Sequence, residues 1–309
     1  MSGLVMLCVV AALVVTRIGV VPDAGESVAT SEVRRLCTDF RFTEGPAWHP
    51  DGYLVFSDIP ADTIYALKGD DVSVFRRPSG NSNGLAFDAR GRLLACEHGN
   101  RRVSRTEAEG TVVPLAAHDN GKRLNSPNDL TVRSDGSVYF TDPPYGVRPE
   151  ARELDYQGVY RVDPKGDLAL LIDDFVKPNG LAFSPDEKTL YVADTERDWL
   201  RAFDVEEGGG LGNGRVFHRF AGDEPFRPDG MKVDVLGNVY VAGRGGVRVL
   251  DPKGRHLETI STPEGASNLA FGGKDGRTLC VTARTSVYAV DVRHPGAVVA
   301  GRANRAPDR

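Results

Sequence analysis

Apolar residues along this chain come in runs of about three to five bounded by turn residues, and no stretch carries the 3.6-residue spacing of an amphipathic helix. One set of runs reads Tyr53-Leu54-Val55-Phe56, Leu93-Leu94-Ala95-Cys96, Val138-Tyr139-Phe140, Leu190-Tyr191-Val192, Val239-Tyr240-Val241 and Leu279-Cys280-Val281. These are rich in β-branched and aromatic residues, which favours strands. A turn precedes each, as in His49-Pro50-Asp51-Gly52 and Ser134-Asp135-Gly136, where Pro-Asp and Asp-Gly steps reverse the chain. Before each turn stands a phrase that opens on an oxygen-bearing side chain and runs into an apolar strand. The six phrases are Glu44-Gly45-Pro46-Ala47-Trp48, Asn83-Gly84-Leu85-Ala86-Phe87, Asn128-Asp129-Leu130-Thr131-Val132, Asn179-Gly180-Leu181-Ala182-Phe183, Asp229-Gly230-Met231-Lys232-Val233 and Asn268-Leu269-Ala270-Phe271.

The phrases recur at intervals of 39 to 51 residues, in or near the period of propeller blades built from four strands. Third strands are visible in residues 63–67, 158–162, 200–203, 247–250 and 287–290, and the fourth is the least regular. The pattern predicts an all-β, six-bladed β-propeller of four-stranded antiparallel blades. Residues 31–40 read as one more strand ahead of the first phrase, expected to complete blade six and close the ring, which leaves no open edge there.

At 309 residues the chain is too long for one ordinary undivided core, and a ring of blades answers that by adding a slice of core per blade. Residues 29–309 are expected to form that single catalytic domain. Residues 1–28 differ: an apolar run over residues 4–15 is shorter than the roughly 20 residues a membrane helix needs. It reads as a signal peptide, with Ser27-Val28-Ala29 as a small-x-small cleavage site, or as an upstream start wrongly assigned. The expected location is cytoplasmic, with export to the periplasm as the alternative. A net charge of −5 with scattered Lys and Arg excludes a nucleic-acid stripe. Cys8, Cys37, Cys96 and Cys280 match neither a zinc pattern nor a disulfide framework and read as free thiols. The run Gly208 to Gly214 lies between strands and does not fit a dinucleotide fingerprint.

The innermost strands of a propeller surround an axial channel, so the residues opening the six phrases should meet at one mouth. Glu44, Asn83, Asn128, Asn179, Asp229 and Asn268 would form an all-oxygen collar that suits a hard cation, Ca²⁺ or less readily Mg²⁺. Asn and Asp before Gly are also ordinary turn residues. As a set, however, Glu44 and Asp229 supply charge where the other copies carry amides. Glu44, Asn128, Asn179 and Asp229 are the expected metal ligands, with Asn83 and Asn268 open. The second strand returns to the same level at Asp58, Glu97, Asp142, Asp194, Gly243 and Ala283. The four acidic members are expected to accept the amide NH₂ of a neighbouring Asn and turn its oxygen to the metal.

Five motifs in order, Phe42-Thr43-Glu44-Gly45-Pro46-Ala47-Trp48, Leu124-Asn125-Ser126-Pro127-Asn128-Asp129-Leu130, Tyr139-Phe140-Thr141-Asp142-Pro143-Pro144-Tyr145-Gly146, Lys177-Pro178-Asn179-Gly180-Leu181-Ala182-Phe183 and Arg227-Pro228-Asp229-Gly230, resemble the SMP-30/gluconolactonase/luciferin-regenerating family over residues 37–292. The resemblance implies a six-bladed propeller, one axial divalent metal, usually calcium, and hydrolysis of sugar lactones. It places the metal on Glu44, Asn128, Asn179 and Asp229, with Asp229 also the base or nucleophile. The 142–158 insert and the N-terminal extension leave the oligomeric state, monomer or weak homodimer, outside what the resemblance implies.

On this reading the metal grips the lactone carbonyl, and Asp229 activates water or attacks directly. His98 leaves the second strand at the same rim and is a candidate to assist proton transfer, though a His beside a turn Gly is ordinary loop. Asn83, Arg101, Asn125 and Tyr145 are candidate substrate contacts, while Trp48 and Phe87 read as core. The expected partner is a small lactone, with no nucleic acid and no stable membrane span. Mg²⁺, Mn²⁺ and Zn²⁺ are alternative cations. The competing functions are phosphotriester hydrolysis on the same metal and a non-catalytic binding scaffold.

Overall fold

The computed structural model describes residues 26–220, 222 and 224–297. The apolar run at residues 4–15 and Cys8 lie outside them. Among the described residues no helix is long and apolar enough to cross a membrane. Six four-stranded antiparallel sheets follow one another in chain order, joined by one two-stranded hairpin at His118–Asp119 and Lys122–Arg123. Blade one runs outward through Thr43–His49, Tyr53–Asp58, Thr63–Lys68 and Asp71–Arg76. Blade six takes Asn268–Gly272, Thr278–Ala283 and Ser286–Asp291 from the end of the chain and Arg34–Cys37 from its start. The ring is therefore closed by the N-terminal strand, as the sequence predicts. That strand is shorter than residues 31–40, being interrupted by a register shift between Arg35 and Cys37.

The second strands are apolar without alternation because blades pack on both faces. Leu93 and Ala95 join Val55 and Ile64 of blade one, whereas Leu94 and Cys96 join Leu130 and Phe140 of blade three. Each of the six buried apolar clusters occupies one interface between neighbouring blades. Phe140, fully buried and stacked on Tyr160 at 5.2 Å, anchors one such seam; truncating a ring of this kind costs about 3–5 kcal/mol. The outer strand of blade one is exposed along most of its length. Exposure removes the demand for alternation, which explains why fourth strands leave a weak signal. The third strand of blade two, Arg102–Thr106, escaped the sequence reading because Val103 is its one large apolar residue.

The acidic residues that end the second strands do something other than expected. Asp58 accepts the backbone N–H of Arg41 and Phe42, Asp142 those of Asn125 and Ser126, and Asp194 those of Val176 and Lys177. Each carboxylate thus clamps the segment two and three positions before a collar residue, and none accepts a collar amide. Blade five ends its second strand in Gly243, so Asp198 reaches over from blade four to hold Phe226 and Arg227 N–H. In blade two Asp62 of blade one holds Asn81 N–H at 2.7 Å. Glu97 is committed elsewhere, to Arg76 at 3.0 Å, Arg102 at 2.7 Å and Asn100 at 2.6 Å. A carboxylate accepting paired N–H groups is a strong, directional clamp. These groups fix where the innermost strands begin.

Candidate functional site

The collar forms where the innermost strands enter the ring. Backbone register assigns its members: Asn128 N–H donates to Thr141 O, Asp229 N–H to Ala242 O and Ser267 N–H to Thr282 O. Gly84 N–H donates to Asn128 O, and Gly230 N–H donates to Ser267 O in the same way. The sixth member is therefore Ser267, one residue earlier than the Asn268 that the sequence suggested. Asn268 instead occupies the level of Gly45, Gly84, Asp129, Gly180 and Gly230. Glycine is needed in blade one because strands approach closely there: a Cβ on Gly45, whose φ is +51°, would lie 1.9 Å from Asn83 O.

The amides join hand to hand. Asn83 Nδ2 donates to Asn128 Oδ1 at 2.7 Å, and Asn128 Nδ2 donates to Asn179 Oδ1 at 2.6 Å. Asn179 Nδ2 donates to Thr195 Oγ1 at 3.0 Å and lies 3.4 Å from the Tyr145 hydroxyl; Asn179 also donates to Asp229. On the other side Asn268 Nδ2 donates to Glu44 Oε2 at 3.1 Å and to Asp129 Oδ2 at 3.2 Å. The amide chain thus joins Asn128, Asn179 and Asp229, while Asn268 ties Glu44 to Asp129, and the two sets meet through the charges of Glu44 and Asp129 acting on Asp229. Asn83 Oδ1 is buried and has no hydrogen-bond partner.

Charge is the dominant feature. Glu44 and Asp129 are buried and Asp229 is half-buried, and the three carboxyl groups lie within electrostatic reach of one another. Burial first, then the Asp129 charge, pushes Glu44 up to about 7. Burial, with Glu44 and Asp129 added, raises Asp229 well above the carboxylate range, and burial also raises Asp129. Like charges brought together away from water disfavour ionisation. A buried partnerless carbonyl oxygen and three carboxyl groups short of positive charge fit a hard dication.

The flanking residues fall into different roles. His98 is buried, its Nε2 is 3.3 Å from Asn83 Nδ2, and burial lowers its pKa to about 4, so the imidazole is neutral at neutral pH. The Tyr145 ring is partly exposed, but its hydroxyl faces Asn179 and Asp229, and burial with the Asp229 charge raises its pKa to about 12. Arg101 is turned away from solvent: Nε donates to Leu124 O at 2.7 Å and to Asn125 O at 3.1 Å, and Nη1 to Ala151 O at 3.0 Å. It braces the insert against the rim. Asn125 donates from Nδ2 to Tyr156 O at 2.9 Å, and its Oδ1 is a second buried oxygen without a partner.

Three site residues were not singled out as such from the sequence. Asp129 carried a signal, since it stands where four other phrases have Gly. Thr195, whose Oγ1 binds both Asn179 and Pro228 O, follows the acidic end of a second strand and was legible only as rim. Ser267 was hidden by the missing Gly in the sixth phrase.

Residues 42–285 match the profile of the SMP-30/Gluconolactonase/LRE-like region. The chain is 36% identical to a gluconolactonase of Zymomonas mobilis over 87% of its own length and 83% of that protein's. The solved structure of a gluconolactonase from Xanthomonas campestris superimposes with a TM-score of 0.79 at 36% identity, covering 84% of this chain and 89% of that one. A calcium-binding regucalcin from Agrobacterium tumefaciens shares the fold, with a TM-score of 0.72 at 24% identity over 86% of this chain and 97% of that one. The chain belongs to the SMP-30/gluconolactonase/LRE-like family.

Proposed function

We propose that this protein opens a sugar lactone to its hydroxy acid, with Asp229 handling the proton and a divalent cation, calcium first, held by Glu44, Asn128, Asn179 and Asp229. Membership of the family makes the chain a lactonase. The observation that carries the finer reading is the convergence of buried Glu44 and Asp129 with half-buried Asp229, short of cationic charge, at the mouth of the axial channel.

A bound dication would supply the charge that polarises a lactone carbonyl and returns the acidic groups to carboxylates. Asp229 accepts a proton from the attacking water, whose oxygen bonds to the carbonyl carbon. As the ring C–O bond breaks, the same proton passes to the departing alkoxide and gives the free hydroxyl. Direct attack by Asp229 instead would form an acyl-enzyme that water then opens. Neutral His98 holds Asn83 in place and accepts or donates one hydrogen bond without changing charge. The Asn179, Thr195 and Tyr145 cluster lies beside Asp229, where substrate hydroxyls would sit.

The test is a metal-stripped preparation refilled with Ca²⁺, Mg²⁺, Mn²⁺ or Zn²⁺ and assayed on glucono-δ-lactone and on a fluorophosphate. Activity on the lactone that vanishes on stripping and returns most with calcium is the expected result. Undiminished lactone turnover after stripping would overturn the metal-dependent reading, and faster turnover of the fluorophosphate would move the assignment to phosphotriesters. Single-turnover hydrolysis in ¹⁸O water places label in Asp229 only if it is the nucleophile.

A further inference from the structure

Below the collar the axial channel carries two further levels. At the first, four blades have Gly, while blade three has Asp129 and blade six, directly across the ring, has Asn268. These two meet: Asn268 Nδ2 donates to Asp129 Oδ2 at 3.2 Å and to Glu44 Oε2 at 3.1 Å. They fit into the space the glycines leave, since a Cβ on Gly84 would lie 2.5 Å from Asp129 Oδ1, and one on Gly230 would lie 2.0 Å from Asn268 Cγ.

At the level three residues beyond the collar the blades carry Ala47, Ala86, Thr131, Ala182 and Ala270, and blade five carries Lys232. Ala47, Ala86, Ala182 and Ala270 pack into the cores between blades, so half-buried Lys232 is the one charged residue at this level. Its ammonium donates to Met231 O at 3.0 Å, and its positive charge reaches both Glu44 and Asp129. Three carboxyl groups and one ammonium on the axis sum, when all are ionised, to a charge of −2.

We propose that Lys232 is the built-in counter-ion of the axial channel and that, through Asp129 and Asn268, it matches the site to a doubly charged cation. This rests on the metal-holding function proposed above. Lys232 touches neither substrate nor reacting atoms; it is a positioning residue that works through the charge of the layer beneath the collar. A fixed positive charge in a poorly screened channel opposes a cation above it, and opposes a trivalent one more than a divalent one. Asp129 acts in the opposite sense.

The experiment measures binding rather than turnover. Full-length protein stripped of metal is titrated at pH 8 with Ca²⁺ by calorimetry and with Tb³⁺ by sensitised luminescence. The wild type is compared with Lys232→Met, Lys232→Arg, Asp129→Asn and the Asp129→Asn/Lys232→Met double variant. Lys232→Met is expected to tighten Tb³⁺ binding by about tenfold more than it tightens Ca²⁺ binding. Lys232→Arg should stay near wild type, and Asp129→Asn should weaken Ca²⁺ by about tenfold, with the double variant returning toward the wild-type value. If the wild type binds Ca²⁺ but Lys232→Met leaves both affinities unchanged, the counter-ion role is wrong and the metal site stands. Should Lys232→Met not fold, an Asp129→Asn affinity equal to wild type overturns the proposal by itself. Absence of cation binding to the wild type overturns both.

Discussion

The two ends of this propeller both present charged, concave surfaces, yet they differ in how the charge is answered. At the end opposite the collar a cleft of about 520 Å³ lies between blades two and three, lined by Asp88, Arg92, Arg105, Arg133, Asp135 and Lys165. Its ions are matched: Arg92 pairs with Asp88 and with Glu107 at 2.8 Å each, and Arg133 with Asp135 at 3.1 Å. Water reaches these pairs, so each contributes little. The collar instead gathers buried Glu44 and Asp129 and half-buried Asp229, carboxyl groups whose charges reinforce rather than cancel. What sets the collar apart from the cleft is therefore unanswered charge held away from water. Glu97 makes the same point inside one blade, since a buried carboxylate gripped by Arg76 and Arg102 serves as structure.

The sharpest way to break this contrast is to change one charged group at each end. Asp229→Asn keeps the shape of the collar but removes the proposed proton acceptor, and kcat/KM for the lactone should fall by about 10³-fold or more. Arg92→Ala in the cleft should leave kcat/KM within about twofold while lowering stability by no more than about 1 kcal/mol. Comparable losses from the two variants would erase the distinction between the ends.

Stability tests the same asymmetry with a smaller effect. Because Glu44 holds its proton up to about pH 7 when folded, the native state without metal binds more protons than the unfolded chain between its ordinary range and that value. Its contribution to stability is thus present at low pH and lost as pH rises through about 4.5 to 7, flat thereafter. Glu44→Gln cannot ionise, and its amide oxygen can still accept from Gly45 N–H and Asn268. Metal-stripped Glu44→Gln should melt higher than metal-stripped wild type at pH 8, by on the order of 3 kcal/mol, and the gap should close below pH 5. Thermal denaturation across pH 5 to 8 reads this directly. A variant less stable than wild type at pH 8 would mean that Glu44 is not under electrostatic strain.

Much of this was legible because the repeat converts sequence spacing into geometry. Residues such as Glu44, Asn128, Asn179 and Asp229 lie far apart in the chain, but six similar phrases predict that they share one axis. Legibility failed where a blade departs from its siblings. The sixth phrase lacks the Gly after its collar residue, which displaced the reading from Ser267 to Asn268. The carboxylates closing the second strands were recognised but given the wrong partners, because hydrogen bonds to loop N–H groups leave no trace in residue type. Arg101 looked like a sugar contact since a rim arginine ordinarily points to solvent. Its burial depends on the 142–158 insert, whose path follows from packing rather than from pattern. Lys232 passed unnoticed as one polar residue in a strand, and it stands out only when the six blades are laid over one another.

The finest comparison is between two residues on either side of the collar's amide chain. His98 lies against Asn83 at one end, and Tyr145 approaches Asn179 at the other. With its pKa lowered to about 4, His98 stays neutral across the working pH range, so it contributes a hydrogen bond and shape but no titrating proton. His98→Gln should reduce kcat/KM by about tenfold without moving the acid limb of the pH–rate profile. An inflection near 6.5 that disappears in the variant would instead make His98 the proton-transfer group. Tyr145 has a weaker hold, since its hydroxyl lies 3.4 Å from Asn179 Nδ2 and Thr195 already accepts from that nitrogen at 3.0 Å. Removing that hydroxyl leaves Asn179 anchored, so Tyr145→Phe should lower kcat/KM only about threefold, chiefly through KM. A loss in kcat as large as that of His98→Gln would show that the Tyr145 hydroxyl acts on the transition state, and would move the centre of the chemistry toward blades three and four.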